Sequence, residues 1–212
     1  MYYSQLGQDS FVDELLNKKE NGFFIEIGAN DGKSHSNTLF FEEKRNWLGI
    51  CVEPLLDKFQ ELNEFRKSIN LNICISDFDG DTEFTHIKGY ANELSGISDD
   101  YHPSHIDRIN REVESHGGSV DKIMMSVRKL QTILDEHGIT EVDYCSIDTE
   151  GSELKIIKSI DFSRTNVKIF SIENNYGNSD VYHYLISNGY THHTKLHWED
   201  IYVKNNVLLN NK

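Results

Sequence analysis

Three acids sit where carboxylates do chemistry. Glu53, Asp148 and Glu173 each close a short apolar, β-favouring run: WLGICVE, VDYCSID and KIFSIE. Such runs predict strands buried on both faces of a parallel sheet. Ligands of an open parallel sheet gather outside the carboxyl ends of its strands. A carboxylate there is costly unless it meets a donor, a metal or a ligand. A further apolar run, Phe23, Phe24, Ile25 and Ile27, ends in a turn that carries Gly28 and Gly32. Without Cβ atoms, these two positions let the backbone bend sharply and lie against a ligand. Glu53 follows Gly32 by 21 residues, at the end of the next strand. That is where a carboxylate accepts hydrogen bonds from the two hydroxyls of a ribose.

The turn reads Glu26-x-Gly28-x-x-x-Gly32 rather than Gly-x-Gly-x-x-Gly. The dinucleotide fingerprint needs its second glycine for close approach of a pyrophosphate. Here Asn30 and Asp31 stand in the loop, and an acid beside a pyrophosphate is repulsive. A cofactor with a cationic sulfonium and an amine suits that charge pattern, so S-adenosylmethionine fits better than NAD.

The elements that position these groups alternate. A helix over 9–19, capped by Asp9 or Ser10, leads to the strand at 23–27. A helix over 36–45, a strand over 47–53, a helix over 55–67 and a strand over 71–75 follow. The alternation breaks from 77 to about 128, where a strand at 82–87 is expected to pair with one at 123–127. The polar stretch between them, with an exposed helix at 104–115, is long enough to be functional. Regular order resumes with a helix at 129–137, strands at 142–148 and 168–173, helices after Gly151 and at 179–188, and a closing hairpin. The last residues, 209–212, are expected to fray.

At 212 residues the chain suits one domain, 1–212, with a substantial core. No apolar run is long enough to span a bilayer, and MYYSQLGQDS lacks the features of a secretory signal. A net charge of −14 repels phosphate backbones, which argues against nucleic acid as a partner. Cys51, Cys74 and Cys145 match no zinc spacing and read as buried, reduced thiols in a cytoplasmic protein.

FIEIGANDG, WLGICVEP, IDTEGSEL, SIENN and a closing GY…DIYV, with SQLGQD and SNT near the start, occur in one consistent order. In that set the chain resembles the FkbM-type methyltransferases, over 4 to about 203. The resemblance implies a class I, Rossmann-like α/β fold. Its sheet would be doubly wound, mostly parallel and seven-stranded, with an antiparallel last strand and an insertion between strands 3 and 4. It also implies methyl transfer from S-adenosylmethionine to a hydroxyl, often of a sugar or glycan. By motif position Glu26, Gly28, Asn30, Gly32 and Glu53 surround the cofactor, with Ser76 or Asp77 near the adenine. Asp148 and Glu150 fall on the acceptor side as candidate catalytic groups, since a hydroxyl that is methylated must lose its proton to a base. Asp148, Glu173 and Asn174 are oxygen donors suited to a divalent cation such as magnesium, the other way to activate a hydroxyl. Tyr176, Tyr182, Tyr184, Tyr190 and Trp198 are candidates for stacking on a sugar, and no histidine is given a catalytic role. Two rival readings remain: a nucleotide-linked oxidoreductase of similar fold, and a non-catalytic binding module.

Overall fold

The structure, a computed structural model, describes residues 1–210. In chain order its elements are α1 (Gln8–Leu15), β1 (Phe23–Ile27), α2 (Leu39–Arg45), β2 (Leu48–Val52), α3 (Leu56–Phe65) and β3 (Ile69–Leu71). Then come β4 (Cys74–Ser76), β5 (Gly80–Lys88), β6 (Gly96–Ile97), α4 (Pro103–His116), β7 (Ser119–Lys129) and α5 (Leu130–Glu136). The chain closes with β8 (Glu141–Ile147), α6 (Glu153–Lys158), β9 (Asn166–Glu173), α7 (Asp180–Ser187), β10 (Tyr190–Leu196), β11 (Glu199–Lys204) and α8 (Asn205–Asn210).

Seven strands form one sheet in the order β10-β11-β9-β8-β1-β2-β3. From β9 to β3 the neighbours are parallel, while β11 runs antiparallel to both β9 and β10. One face packs Ile25, Ile50, Cys145 and Phe170 under α5, α6 and α7; the other packs Phe24, Cys51, Tyr144 and Ile169 under α1, α2 and α3. Helices on both faces make the sheet doubly wound, and β1, β2, β8 and β9 are buried on both sides as their unbroken apolar runs require. Among the described residues no helix is long and apolar enough to cross a membrane.

The expected third strand, 71–75, is two strands. At the break, the Asn72 amide donates to the carbonyls of Glu53 and Pro54 at 2.9 and 2.7 Å, so the chain leaves the main sheet there. β4 then pairs with β7, Cys74 opposite Val127, in a second sheet ordered β4-β7-β5-β6. The expected pairing inside the insertion is present, with Thr82 opposite Met125 and Phe84 opposite Ile123.

Two helix starts also differ. Gly7, in the left-handed region, caps α1. Asp9 instead turns its carboxylate back to accept from the backbone N–H groups of Tyr3 and Ser4 at 2.6 and 3.2 Å. α2 begins three residues late because 36–38 is held by Glu26. At the carboxyl end, 209–210 continue α8, and 211–212 lie outside the described residues.

Candidate functional site

A cavity of ≈ 520 Å³ opens at the carboxyl ends of β1, β2 and β8, a size within the roughly 300–1,000 Å³ of small-molecule sites. Its floor is Gly28, Ala29 and Asn30, one end is Glu53, and the other is Asp148, Thr149 and Glu150. The insertion supplies the roof through 92–97 and Arg108.

Glu53 is only 6% exposed. One carboxylate oxygen accepts from the Asn30 N–H at 2.9 Å, the other from the Leu55 N–H at 2.8 Å. Each oxygen keeps a second acceptor position. Burial pushes this carboxyl up to about 7, against the pull of the two N–H donors.

The two glycines of the turn do different work. Gly28, at φ +85°, lies so close to β8 that a Cβ there would sit 1.8 Å from the Asp148 carbonyl oxygen. Gly32 faces the other way, and its Cβ would meet Leu62 and Arg66 at 2.5 and 2.8 Å. It therefore serves the packing of the loop on α3 and lies outside the cavity wall. Asp31 is turned into its own loop, accepting from the Lys33 and Ser34 N–H groups at 2.9 and 2.7 Å. Its charge does not face the cavity, so the repulsion argued from the sequence has another geometry.

Glu26 borders the cavity, but its carboxylate is engaged in holding the chain that follows the turn. It accepts from Ser36 Oγ at 2.8 Å, Asn37 N–H at 2.7 Å, Thr38 Oγ1 at 2.6 Å and Arg66 Nη1 at 3.2 Å. Ser76 and Asp77 stand outside the wall: after the break at Asn72, the cavity is lined by Ile73, Cys74 and Ile75, while Ser76 is already paired with Lys129.

At the opposite end, strand periodicity gathers acids on one face of the sheet. Residues two apart point the same way, so Tyr144, Ser146 and Asp148 share a face with Ile169, Ser171 and Glu173. Glu26, Ser146 and Ser171 are in register across β1, β8 and β9. One step further along lie Asp148 and Glu173. Ligand oxygens of Asp148, Glu150 and Glu173 fall within 4.8 Å of one another. Asn174 does not join them: its side chain donates to Asp200 at 2.7 Å and accepts from the Asn178 N–H at 2.8 Å.

The loop after β8 is built to present these acids. Glu153 accepts from Thr149 N–H, Thr149 Oγ1 and Gly151 N–H at 3.2, 2.9 and 3.0 Å. Glu150 itself is held in the left-handed region at φ +61°. The insertion clamps the loop through Asp100, which accepts from Ser152 Oγ at 2.6 Å. Burial pushes Asp148 up to about 6, with a Glu173 hydrogen bond pulling against it. Burial, then the Asp148 charge, pushes Glu150 up to about 8. Glu173 is raised well above the carboxylate range by burial and by the same two neighbours.

One participant was not legible in the sequence. His105, fully buried on α4, places Nδ1 3.2 Å from Glu150 Oε2 and 3.0 Å from the Tyr176 hydroxyl. Nε2 lies 3.0 Å from the Leu94 carbonyl, which only an Nε2–H satisfies. Burial lowers the pKa of His105, so Nδ1 is an acceptor toward Tyr176. Of the aromatics named as sugar platforms, Trp198 borders the cavity and the tyrosines do not.

Among the described residues, four buried side-chain atoms have no hydrogen-bond partner. Three of them, Asn30 Oδ1, Asn37 Oδ1 and Glu150 Oε2, belong to residues of the cavity wall, and all three are acceptors. What fills this space brings donors or positive charge.

The family described as Methyltransferase FkbM domain matches residues 26–192. No curated protein matches the chain. Among solved structures, the chain is similar to one titled human methyltransferase 10 domain containing protein, at 13% identity and TM-score 0.47, covering 94% of this chain and 81% of that one. It is also similar to the METTL16 MTase domain (crystal form 2), at 12% identity and TM-score 0.49, covering 95% of this chain and 67% of that one.

Proposed function

The chain belongs to the FkbM methyltransferase family, and from that premise we propose that it moves a methyl group from S-adenosylmethionine to a hydroxyl oxygen of a sugar or glycan. The observation that carries this reading is the set of unpartnered acceptors in the wall of the cavity that Glu53 also lines. S-adenosylmethionine, when bound, supplies an electrophilic methyl on a sulfonium, along with an ammonium group and ribose hydroxyls. Asn30 and Asn37 would accept from its donors, and Glu53 would take the ribose. An NAD pyrophosphate offers only acceptors, which leaves the same wall unsatisfied.

On the acceptor side, Asp148 would receive the hydroxyl proton with Glu150 assisting, the Asp148 carboxyl, raised by burial to about 6, lying closer to neutrality than an ordinary one. In the alternative arrangement Asp148 would hold a divalent cation such as magnesium together with Glu173, and the cation would acidify the hydroxyl. The buried thiols of Cys51, Cys74 and Cys145 suit a reducing cytoplasm.

Cofactor affinity tests the reading. Ribose hydroxyls donate to the ionised form of Glu53, which predominates above about 7. Below that pH, affinity for S-adenosylhomocysteine is expected to fall about tenfold per unit. Glu53→Gln is expected to weaken binding at pH 8 and to flatten the profile in calorimetric titrations at pH 8 and pH 6. Equal affinity of wild type and variant at both pH values removes Glu53 from the cofactor site. Without ligand the sign reverses: a carboxyl raised on folding contributes stability that is lost as pH rises through about 7.

Trp198 gives the acceptor reading its own test. With labelled methyl donor and a panel of saccharides, Trp198→Ala is expected to raise KM about tenfold, the worth of an aromatic contact of about 1–1.5 kcal/mol. Its kcat should hold. A variant with unchanged KM for every saccharide methylated excludes the platform.

A further inference from the structure

We infer that the acid cluster is a divalent-cation site with a fourth member, Glu199, and that it binds a hard ion such as Mg²⁺ or Mn²⁺ before any cofactor arrives. The inference rests on the proposed methyl transfer only for what the ion acts on. Four observations support it. Ligand oxygens of Asp148, Glu150 and Glu173 converge within 4.8 Å, and oxygens around an ion at about 2.1–2.4 Å are spread over that range. Glu199 is 1% exposed and its Oε2 has no hydrogen-bond partner. It stands directly opposite Glu173 in the β9–β11 register, on the same face of the sheet. Glu150 Oε2 is likewise unpartnered and buried.

No lysine or arginine forms an ion pair with any of these four acids among the described residues; Arg108 in the cavity roof acts on Glu150 from beyond ion-pair distance, and His105 presents an acceptor Nδ1. Buried like charges persist when they are paired or coordinate a metal. A donor set of carboxylate oxygens without sulfur, and with no free imidazole nitrogen, selects magnesium, manganese or calcium over zinc or copper. Glu150 replaces Asn174 as the third ligand, and Glu199, outside the group that converges within 4.8 Å but beside Glu173 in the register, would act through the ion's water shell.

Mn²⁺ titration of the chelator-treated full chain, followed by electron paramagnetic resonance, tests this without an acceptor. One saturable site per chain is expected, displaced by excess Mg²⁺ and present without S-adenosylhomocysteine. Asp148→Asn and Glu173→Gln are each expected to lower Mn²⁺ affinity tenfold or more, and Glu199→Gln to lower it severalfold. Circular dichroism confirms that each variant is folded. Absence of saturable binding to the wild type overturns the site, as does Mn²⁺ affinity unchanged in folded Glu173→Gln. Calorimetry with S-adenosylhomocysteine on the same samples separates the two readings. Loss of the ion with cofactor affinity intact sinks the cation site alone, and ion binding with no cofactor affinity sinks the methyltransferase reading alone.

Discussion

Gly28→Ala is expected to abolish binding of S-adenosylhomocysteine and to destabilise the chain by about 3 kcal/mol or more, the range in which clash and backbone strain combine. The new Cβ would lie 1.8 Å from the Asp148 carbonyl oxygen, a contact that real Cβ atoms do not make below 3.0 Å. That carbonyl is not free to retreat. The Asp148 N–H donates to Ile27 O at 3.0 Å, and the Gly28 and Ala29 N–H groups both donate to Val52 O at 3.0 Å. Relief requires β1 and β8 to part at the point where the cofactor loop and Asp148 meet. A shift of about 1 Å at reacting groups is enough to cost about 10²-fold.

The φ of +85° adds strain for any L side chain. Gly138→Ala is the control, with φ +66° and nothing within 4 Å of its Cβ. It should cost about 1 kcal/mol and leave binding intact. Calorimetry and thermal denaturation of the two variants check the contrast. If Gly28→Ala binds like the wild type, the turn does not lie against the ligand.

Why some of this was legible and some not follows from the range of the signals. Strands buried on both faces announce themselves as apolar runs, so the acids that end them, Glu53, Asp148 and Glu173, stand out. Glu26 lies inside such a run and was equally visible, but the partners that its carboxylate holds at 36–38 and at the end of α3 were not. Asn72 hides the break between β3 and β4 because its two hydrogen bonds reach back 18 and 19 residues. That break is why Ser76 and Asp77 were assigned to a wall they do not reach.

His105 and Glu199 were beyond reach for a related reason. His105 meets Glu150 only because the insertion folds over the cavity, and the helix it sits on reads from sequence as a polar surface helix. Glu199 opens the second strand of the closing hairpin. That it faces Glu173 depends on a register no local pattern encodes.

Arg66→Met is expected to destabilise the chain by about 3–5 kcal/mol, the cost of breaking a buried ion pair from one side. Arg66 is 4% exposed and lies over the Phe24 ring, its guanidinium carbon 5.2 Å from the centroid. Nη1 donates to Glu26, to the Gly32 carbonyl and to Ser36 Oγ at 3.2, 3.2 and 3.1 Å. Nη2 donates to Thr38 Oγ1 at 2.9 Å and Nε to Glu42 at 3.1 Å. A planar fork of donors fits these five acceptors, and an ammonium does not. Arg66→Lys should therefore recover little. At about 2–4 °C per kcal/mol for a chain of this size, Arg66→Met should lower Tm by roughly 6–20 °C.

The double variant Arg66→Met with Glu26→Gln separates charge from packing. If the penalty is the charge left unpaired at Glu26, the second change restores part of the lost Tm. If the penalty is lost packing over Phe24, it restores nothing. Either outcome also reads on the site, since Arg66 ties α3 to the chain running from Gly32 to Thr38. Loosening that chain frees the loop carrying Asn30, so cofactor affinity should fall alongside stability. A stable Arg66→Met, with Tm within a degree or two of wild type, shows that the network is not what holds the loop.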